Sequence, residues 1–215
     1  MSDVKGKRPY RSTLREAGAR QTRQAIVAAA SELFLDQGYT ATSLSGIATR
    51  AGVARPTPHA VFGSKSAILR AVVDQALAGD DEPIPVADRP WFQPVWQATD
   101  QLGVFTAYAK VCTLIGARAA RIFDTVRQAA DDSAETAQLW QQVQDNRLAG
   151  ARMVCRRAAD LGPLACELDR AVDVIWVLND PCLYGDLVHR RQWSEAAYTA
   201  WLATHMGTVV PAPHG

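Results

Sequence analysis

Between Thr42 and Lys65 the chain reads TSLSGIATRAGVARPTPHAVFGSK, and its polar side chains are of kinds that suit a polyanion. The hydroxyls of Thr42, Ser43 and Thr57 and the ammonium of Lys65 can donate to phosphate oxygens. Arg55 can fork to a guanine edge, and the Ala60 methyl can meet the methyl of a thymine. His59 reads as a neutral surface imidazole that donates one hydrogen bond rather than as a pH sensor.

These side chains need two short helices to hold them. Thr42 is an N-cap type, and Leu44, Ile47 and Ala48 follow at helical spacing, so the first segment has one apolar face. Gly52 stands where a helix would end in the left-handed conformation, which glycine adopts without a Cβ clash. Val53 opens a second segment whose apolar positions are Val53, Pro58, Val61 and Phe62. Helix, glycine turn, helix is the helix-turn-helix arrangement, whose second helix enters the major groove. A plain helical hairpin can show the same spacing of Ala48, Gly52 and Pro58. The flanks favour the first reading: a helix over Ala25 to Gln37 with Ile26, Ala30, Leu33 and Phe34 in one stripe, and Gly63-Ser64-Lys65 leading into a helix over Ser66 to Leu77.

The run QAIVAAASELFLDQGYTATSLSGIATRAGVARPTPHAVFGSKSAIL resembles the DNA-binding domain of the TetR family of bacterial transcriptional regulators, a likeness over roughly residues 20–78. The resemblance implies an all-α fold. A three-helix helix-turn-helix domain at 20–78 (motif 44–63) would be followed by a helical domain at 79–207 for ligand binding and dimerisation. It implies a homodimer on a palindromic double-stranded operator, acting as a ligand-responsive repressor, with no cofactor, no metal and no catalytic residue. Thr42, Ser43, Thr57, His59 and Lys65 would contact phosphates or groove edges, and Arg55 and Ala60 would lie at or near bases. The segment also departs from the family. Ala54 stands where the family has a serine, and Pro56, Thr57, Pro58 and His59 where it has a small residue, threonine, an aliphatic and tyrosine. Pro58 cannot donate the N–H that would bond back to a cap at Ala54, so the helix is predicted to start late, near Arg55, or to be irregular in its first turn.

Charge follows the same division. Residues 1–78 hold 11 Lys and Arg against five acids, while the rest holds 12 against 17. A basic module joined to an acidic one suits phosphate binding by the first. Residues 1–19, mixed in Lys, Arg, Gly, Pro and Ser, read as a flexible basic arm, and 208–215 as a disordered tail. No apolar run is long enough to span a membrane. The beginning of the chain lacks the apolar core of a secretory signal. Cys112, Cys155, Cys166 and Cys182 form no CxxC pair and read as reduced thiols in a cytoplasmic protein.

From Trp91 onward the pattern is helical. Phe105, Ala109, Cys112, Gly116, Ala119, Phe123 and Val126 form one stripe, and Val104, Tyr108, Val111, Ile115 and Ile122 a second, the mark of a helix central to a bundle. Small residues in the first stripe allow either close helix contact or a cavity. Arg118 and Arg147 fall among apolar positions, so each is paired with an acid, reaching for water, or facing a ligand. The family resemblance implies an effector cavity for a small apolar or aromatic molecule, with Trp96, Phe105, Tyr108, Arg118, Phe123, Trp140, Arg147 and Trp176 as candidate lining. It also implies a dimer interface built on the helices Leu168 to about Val188 and Ser194 to Met206, with Trp176, Tyr184, Trp193, Ala197, Ala200 and Trp201 as candidate contacts. Two other functions stay open at this point: a DNA-binding dimer without an effector, and a small helical enzyme using an aromatic cavity, for which no catalytic motif appears.

Overall fold

Helical periodicity becomes ten α-helices and no strand among residues 9–211, which the computed structural model describes. The chain divides into two compact units, Met1–Val72 and Val73–Gly215, with the boundary inside one helix. No helix of the described residues is long and apolar enough to cross a membrane.

In the first unit α1 (Pro9–Ala41) packs on α2 (Leu44–Ala51), and α2 on α3 (Thr57–Phe62); α4 (Lys65–Ala78) begins here. The core holds Ile26, Ala30 and Phe34 of α1, Ile47 and Ala48 of α2, and Ile68 and Leu69 of α4, all fully or almost fully buried. Residues 1–8 of the expected arm lie outside the described residues, but 9–19 are the first turns of α1 rather than an irregular arm. Residues 15–21 are solvent-exposed all round, so no apolar stripe betrays the helix. Good helix formers such as Leu14, Arg15, Glu16 and Ala17, and a proline allowed in a first turn, are the only local signal.

Gly52 ends α2 at φ 68, returning its N–H to the carbonyls of Ala48 and Thr49, and this left-handed backbone is why glycine stands there. The N-cap of α2 is Ser43, whose Oγ accepts from the Gly46 N–H at 3.0 Å, and not Thr42. Thr42 is 2% exposed; its hydroxyl donates to the Gly38 carbonyl at 2.8 Å and accepts from Gln37 Nε2. Helix α3 starts late, as the prolines require. Pro56 occupies its cap position without a side-chain bond, Pro58 lies in the first turn, and the Ala60 N–H is the donor that reaches back to Pro56.

The second unit is organised on α6 (Gln101–Ala129), which contacts α5 (Gln93–Gln97), α7 (Ala134–Ala159), α9 (Pro181–Tyr184) and α10 (Glu195–Met206). Both predicted stripes of α6 are buried except Ile115, which is half-buried, so the helix is wrapped on two faces. Helix α8 (Leu168–Leu178) packs on α7. The helix expected from Leu168 to about Val188, disturbed near Pro181, breaks at Asn179–Asp180, where Asp180 caps the Cys182 N–H and Pro181 takes the first position of α9. A π-helical turn at Gly185–Arg190 leads on towards α10. The end of the chain is packed through Val209, which is 2% exposed and accepts from the Ala165 N–H at 2.8 Å; residues 212–215 of the expected tail lie outside the described residues. The four cysteines are free, with Cys112 and Cys155 buried.

The small residues of the first stripe serve close contact at Gly116, where a Cβ would lie 2.6 Å from the Cβ of Tyr184. Gly116→Val should therefore lower the unfolding free energy by about 1–3 kcal/mol through overpacking. The check is a urea titration, in which the midpoint moves down at constant slope. An unmoved midpoint would mean that α6 and α9 part at no cost.

Candidate nucleic-acid interface and interior cavity

Helix α3 buries Pro58 and turns His59 and Ala60 to solvent, with Thr57 half-buried beside them and Arg55 exposed in the turn before the helix. Among the described residues Arg55 has no ion-pair or hydrogen-bond partner, so its guanidinium is available to a ligand. Arg55 and Ser43 border one open concavity together with Ser45, Thr49 and Arg50 of α2 and Leu33 of α1. Ser45, Thr49 and Arg50 were not singled out from sequence, although Ser45 and Thr49 lie one helical turn apart. Here the Thr49 hydroxyl donates to the Ser45 carbonyl at 3.0 Å, while Arg50 pairs with Glu32 at 2.7 Å.

Two expected phosphate contacts have other work. The buried Thr42 hydroxyl is held between Gly38 and Gln37 and cannot reach a phosphate. The Lys65 ammonium donates to the carbonyls of Tyr39 (2.8 Å) and Thr42 (2.9 Å) and lies 4.1 Å from the Tyr39 ring centroid, so it closes the α1–α2 corner. A cation at the carbonyl end of a helix is stabilised by both hydrogen bonds and the helix dipole.

The second unit contains a cavity of about 420 Å³, within the usual size of small-molecule sites. Its apolar walls include Val86, Phe92, Val111, Ile115, Phe123 and Met153, and its polar groups include Tyr108, Arg147 and Asn179. Of the candidate lining residues, Tyr108, Phe123 and Arg147 are brought together here. The other five are not. Phe105 is sealed in the core at 0% exposure. Trp96 donates its indole N–H to the Ala87 carbonyl at 2.8 Å and so props the wall instead of facing the space. Trp140 is half-buried outside the lining. Trp176 stacks against the Arg147 guanidinium, 5.4 Å from the ring centroid, without reaching the cavity. Arg118 is exposed, lies over Trp91, and donates to the Ala78 carbonyl, which resolves it as a surface cation.

Arg147 is the buried cation, with 9% of its side chain exposed. One guanidinium nitrogen meets Asp180 at 3.2 Å and Gln144 at 2.5 Å, and the other donates to the Trp176 carbonyl at 2.7 Å. Burial pulls its pKa down, and the Asp180 carboxylate opposes that pull. Burial likewise drives Tyr108 well above the ordinary phenol value and the Cys112 thiol up to about 12, so both stay protonated at neutral pH. Asn179, missed from sequence, donates its Nδ2 to both the Tyr108 hydroxyl and the Arg147 carbonyl at 3.1 Å. Its only sequence signal is the Asn-Asp-Pro run, which ends one helix and caps the next.

One cavity wall, Pro85–Ala87, belongs to a segment tied down by Arg89, itself 3% exposed. Its Nε donates to the Ile84 carbonyl at 3.0 Å, one terminal nitrogen to the Glu82 carbonyl at 2.8 Å, and the other to the Asp80 carboxylate at 2.5 Å. The bond from Arg89 holds the Asp80 carboxyl below its ordinary 3.8.

Among the dimer candidates, Tyr184 is corrected to an interior residue. It is 4% exposed, packs edge-on against Tyr198, and donates to Glu195 at 2.5 Å. Ala197 and Ala200 are exposed on α10 and Trp193 is 37% exposed before it, while Trp201 is half-buried on Tyr198 and Trp176 half-buried on α8.

Residues 26–72 match the family model described as bacterial regulatory proteins, tetR family. The chain is 35% identical over 92 residues to the HTH-type transcriptional activator FasR of Mycolicibacterium smegmatis, a match covering 37% of this chain and 42% of that protein, so the chain spans about two fifths of that relative's length. Among solved structures it is similar to a Syntrophomonas wolfei protein assigned to the TetR-family regulators (TM-score 0.68, 17% identity, 89% of this chain and 96% of that one). It is also similar to the transcriptional regulator FadR of Bacillus subtilis in complex with stearoyl-CoA (TM-score 0.66, 16% identity, 87% and 99% covered). At these identities the structural likeness speaks to fold.

The Arg89 tie carries a pH signature. A carboxyl whose folded pKa is depressed adds stability that is fully present above its unfolded value and is lost as pH falls through the folded one. The stability advantage of the wild type over Asp80→Asn should thus be constant at neutral pH and close as pH drops below 3.8. Paired thermal melts across that range give the readout, and parallel curves for the two proteins would count against the tie.

Proposed function

The chain belongs to the TetR family of bacterial regulatory proteins by the domain at residues 26–72, and on that premise we propose that it is a ligand-responsive, sequence-specific DNA-binding regulator, a repressor that holds a palindromic operator as a homodimer. The observation that carries this reading is the α2–Gly52–α3 element, with His59 and Ala60 exposed on its second helix and Arg55 exposed in the turn just before it. In the proposed complex Arg55 and Ala60 read base edges, and Ser43, Thr57 and His59 meet phosphates or groove edges. Ser45 and Thr49, on the same concavity, join the phosphate contacts.

Pairing is part of the proposal because α3 is only six residues long. One such helix reads few base pairs, and two-fold repetition supplies the missing specificity. The surface proposed to pair is the exposed side of α10, with Ala197, Ala200 and Trp193, beside Trp201. Small residues at 197 and 200 suit close helix approach. The effector is proposed to occupy the 420 Å³ cavity. It releases operator only in so far as it binds the DNA-free population more tightly than the DNA-bound one, since equal affinity shifts nothing.

Fluorescence anisotropy with a palindrome selected from random duplex DNA tests the core claim. Affinity should fall steeply with salt, and Arg55→Ala should weaken the selected site by roughly 1–3 kcal/mol with sedimentation unchanged. Salt-insensitive binding, or an Arg55→Ala protein as tight as the parent, would remove the recognition surface from α3. A reporter placed behind the operator then reads the direction of control.

Pairing is tested separately. Ala200→Arg should shift the protein to monomer in sedimentation and weaken the palindrome while leaving the circular dichroism intact. A dimer that survives the substitution would move the interface off α10.

A further inference from the structure

We propose that Val61 is a specificity-determining residue of α3: its side chain meets the C5-methyl group of a thymine in the major groove, so that the operator carries a thymine at that step. This rests on reading α3 as the helix that enters the groove.

Among the described residues of the first unit, Val61 is the one large apolar side chain left exposed, at 38%. Apolar spacing alone would group it with Pro58 and Phe62, but the roll of α3 separates them. Pro58 is buried, and the Phe62 ring centroid lies 4.2 Å from the Arg23 guanidinium carbon of α1. Positions 58 and 62, one turn apart, thus form the face turned to the rest of the unit. Residues three and four apart share a helix side, and Thr57, Ala60 and Val61 stand in that relation on the other. Ala60 and Val61 are exposed there and Thr57 is half-buried. Val61 therefore shares its face with two residues already proposed to meet DNA.

The base follows from what valine lacks. Its side chain has neither donor nor acceptor, and the hydrogen-bonding groups that guanine, cytosine and adenine present at the major-groove edge are polar, whereas thymine adds a methyl group. A valine set over a polar edge removes water from it and returns no hydrogen bond, which costs affinity. Set over thymine, it buries one methyl group against its own two, worth about fourfold in affinity for each half-site. The requirement for thymine thus comes as much from the edges Val61 rejects as from the one it touches. Arg55, exposed in the turn before α3, is suited to guanine, so the two residues read different bases by different means.

The test uses the full-length protein and the palindrome selected from random duplex DNA. Each thymine of one half-site is replaced in turn by deoxyuridine, which removes the methyl group and nothing else, and affinity is read by fluorescence anisotropy. At one thymine the parent protein should lose about fourfold. Val61→Ala, a change at an exposed position, should bind the unmodified site more weakly and show no further loss at that thymine, with its circular dichroism unchanged. Val61→Ser is the second variant, with the same expectation, should the first not fold. Equal losses in parent and variant at every thymine, or a selected half-site with no methyl-sensitive thymine, overturn the assignment of Val61 and leave α3 the recognition helix. A protein that selects no sequence overturns that reading and the assignment together.

Discussion

Helix C-termini leave carbonyl oxygens without partners, and this molecule satisfies them repeatedly with cations from elsewhere in the same unit. Lys65 closes the end of α1 through Tyr39 and Thr42. Arg118 reaches Ala78 at the end of α4. Arg157 donates to Trp96 and Ala98 at the end of α5, at 3.0 and 2.8 Å. Arg147 takes Trp176 near the end of α8. Each bond fixes where one helix stops relative to another, which neither propensity nor a local glycine cap alone would do. Arg89 acts similarly on the carbonyls of Ile84 and Glu82, in a segment with little regular structure to hold it.

That constraint explains what the sequence did and did not disclose. The helix-turn-helix was legible because its determinants are local: Gly52 in the left-handed region, Pro58 denying a backbone donor, and apolar residues one turn apart. Burial of α6 on two faces was legible because periodicity records it. The roles of Lys65, Arg118 and Arg147 were not, because their partners are main-chain oxygens that no residue type announces. A lysine that follows Gly-Ser at a helix start reads as a phosphate ligand until the carbonyls of Tyr39 and Thr42 are seen beneath it. Thr42 and Ser43 are both good cap residues. Only the backbone break at Gly38, φ 82, decides that the first turns back to α1 and the second caps α2.

Aromatic residues fail as cavity markers for a related reason. Trp, Tyr and Phe are apolar bodies, some with one polar tip, and the tip's partner settles the side chain's direction. Trp96 turns to the Ala87 carbonyl, and Tyr184 to Glu195, where burial helps push its phenol up to about 12. Tyr108 alone of these three lines the cavity, and its hydroxyl accepts from Asn179. Residues of one chemical type thus divide between core, wall prop and lining according to partners distant in sequence.

Asn179 is where these threads meet. It ends α8, and its amide donates to the hydroxyl of Tyr108 on α6 and to the backbone of Arg147 on α7. Arg147 in turn holds the end of α8 and the cap of α9. The polar end of the cavity is therefore also the joint that sets α6, α7, α8 and α9 in register. On the proposed function, a molecule seated beside that joint would bind two arrangements of the four helices unequally, and such a difference is the physical requirement for a ligand to shift a population.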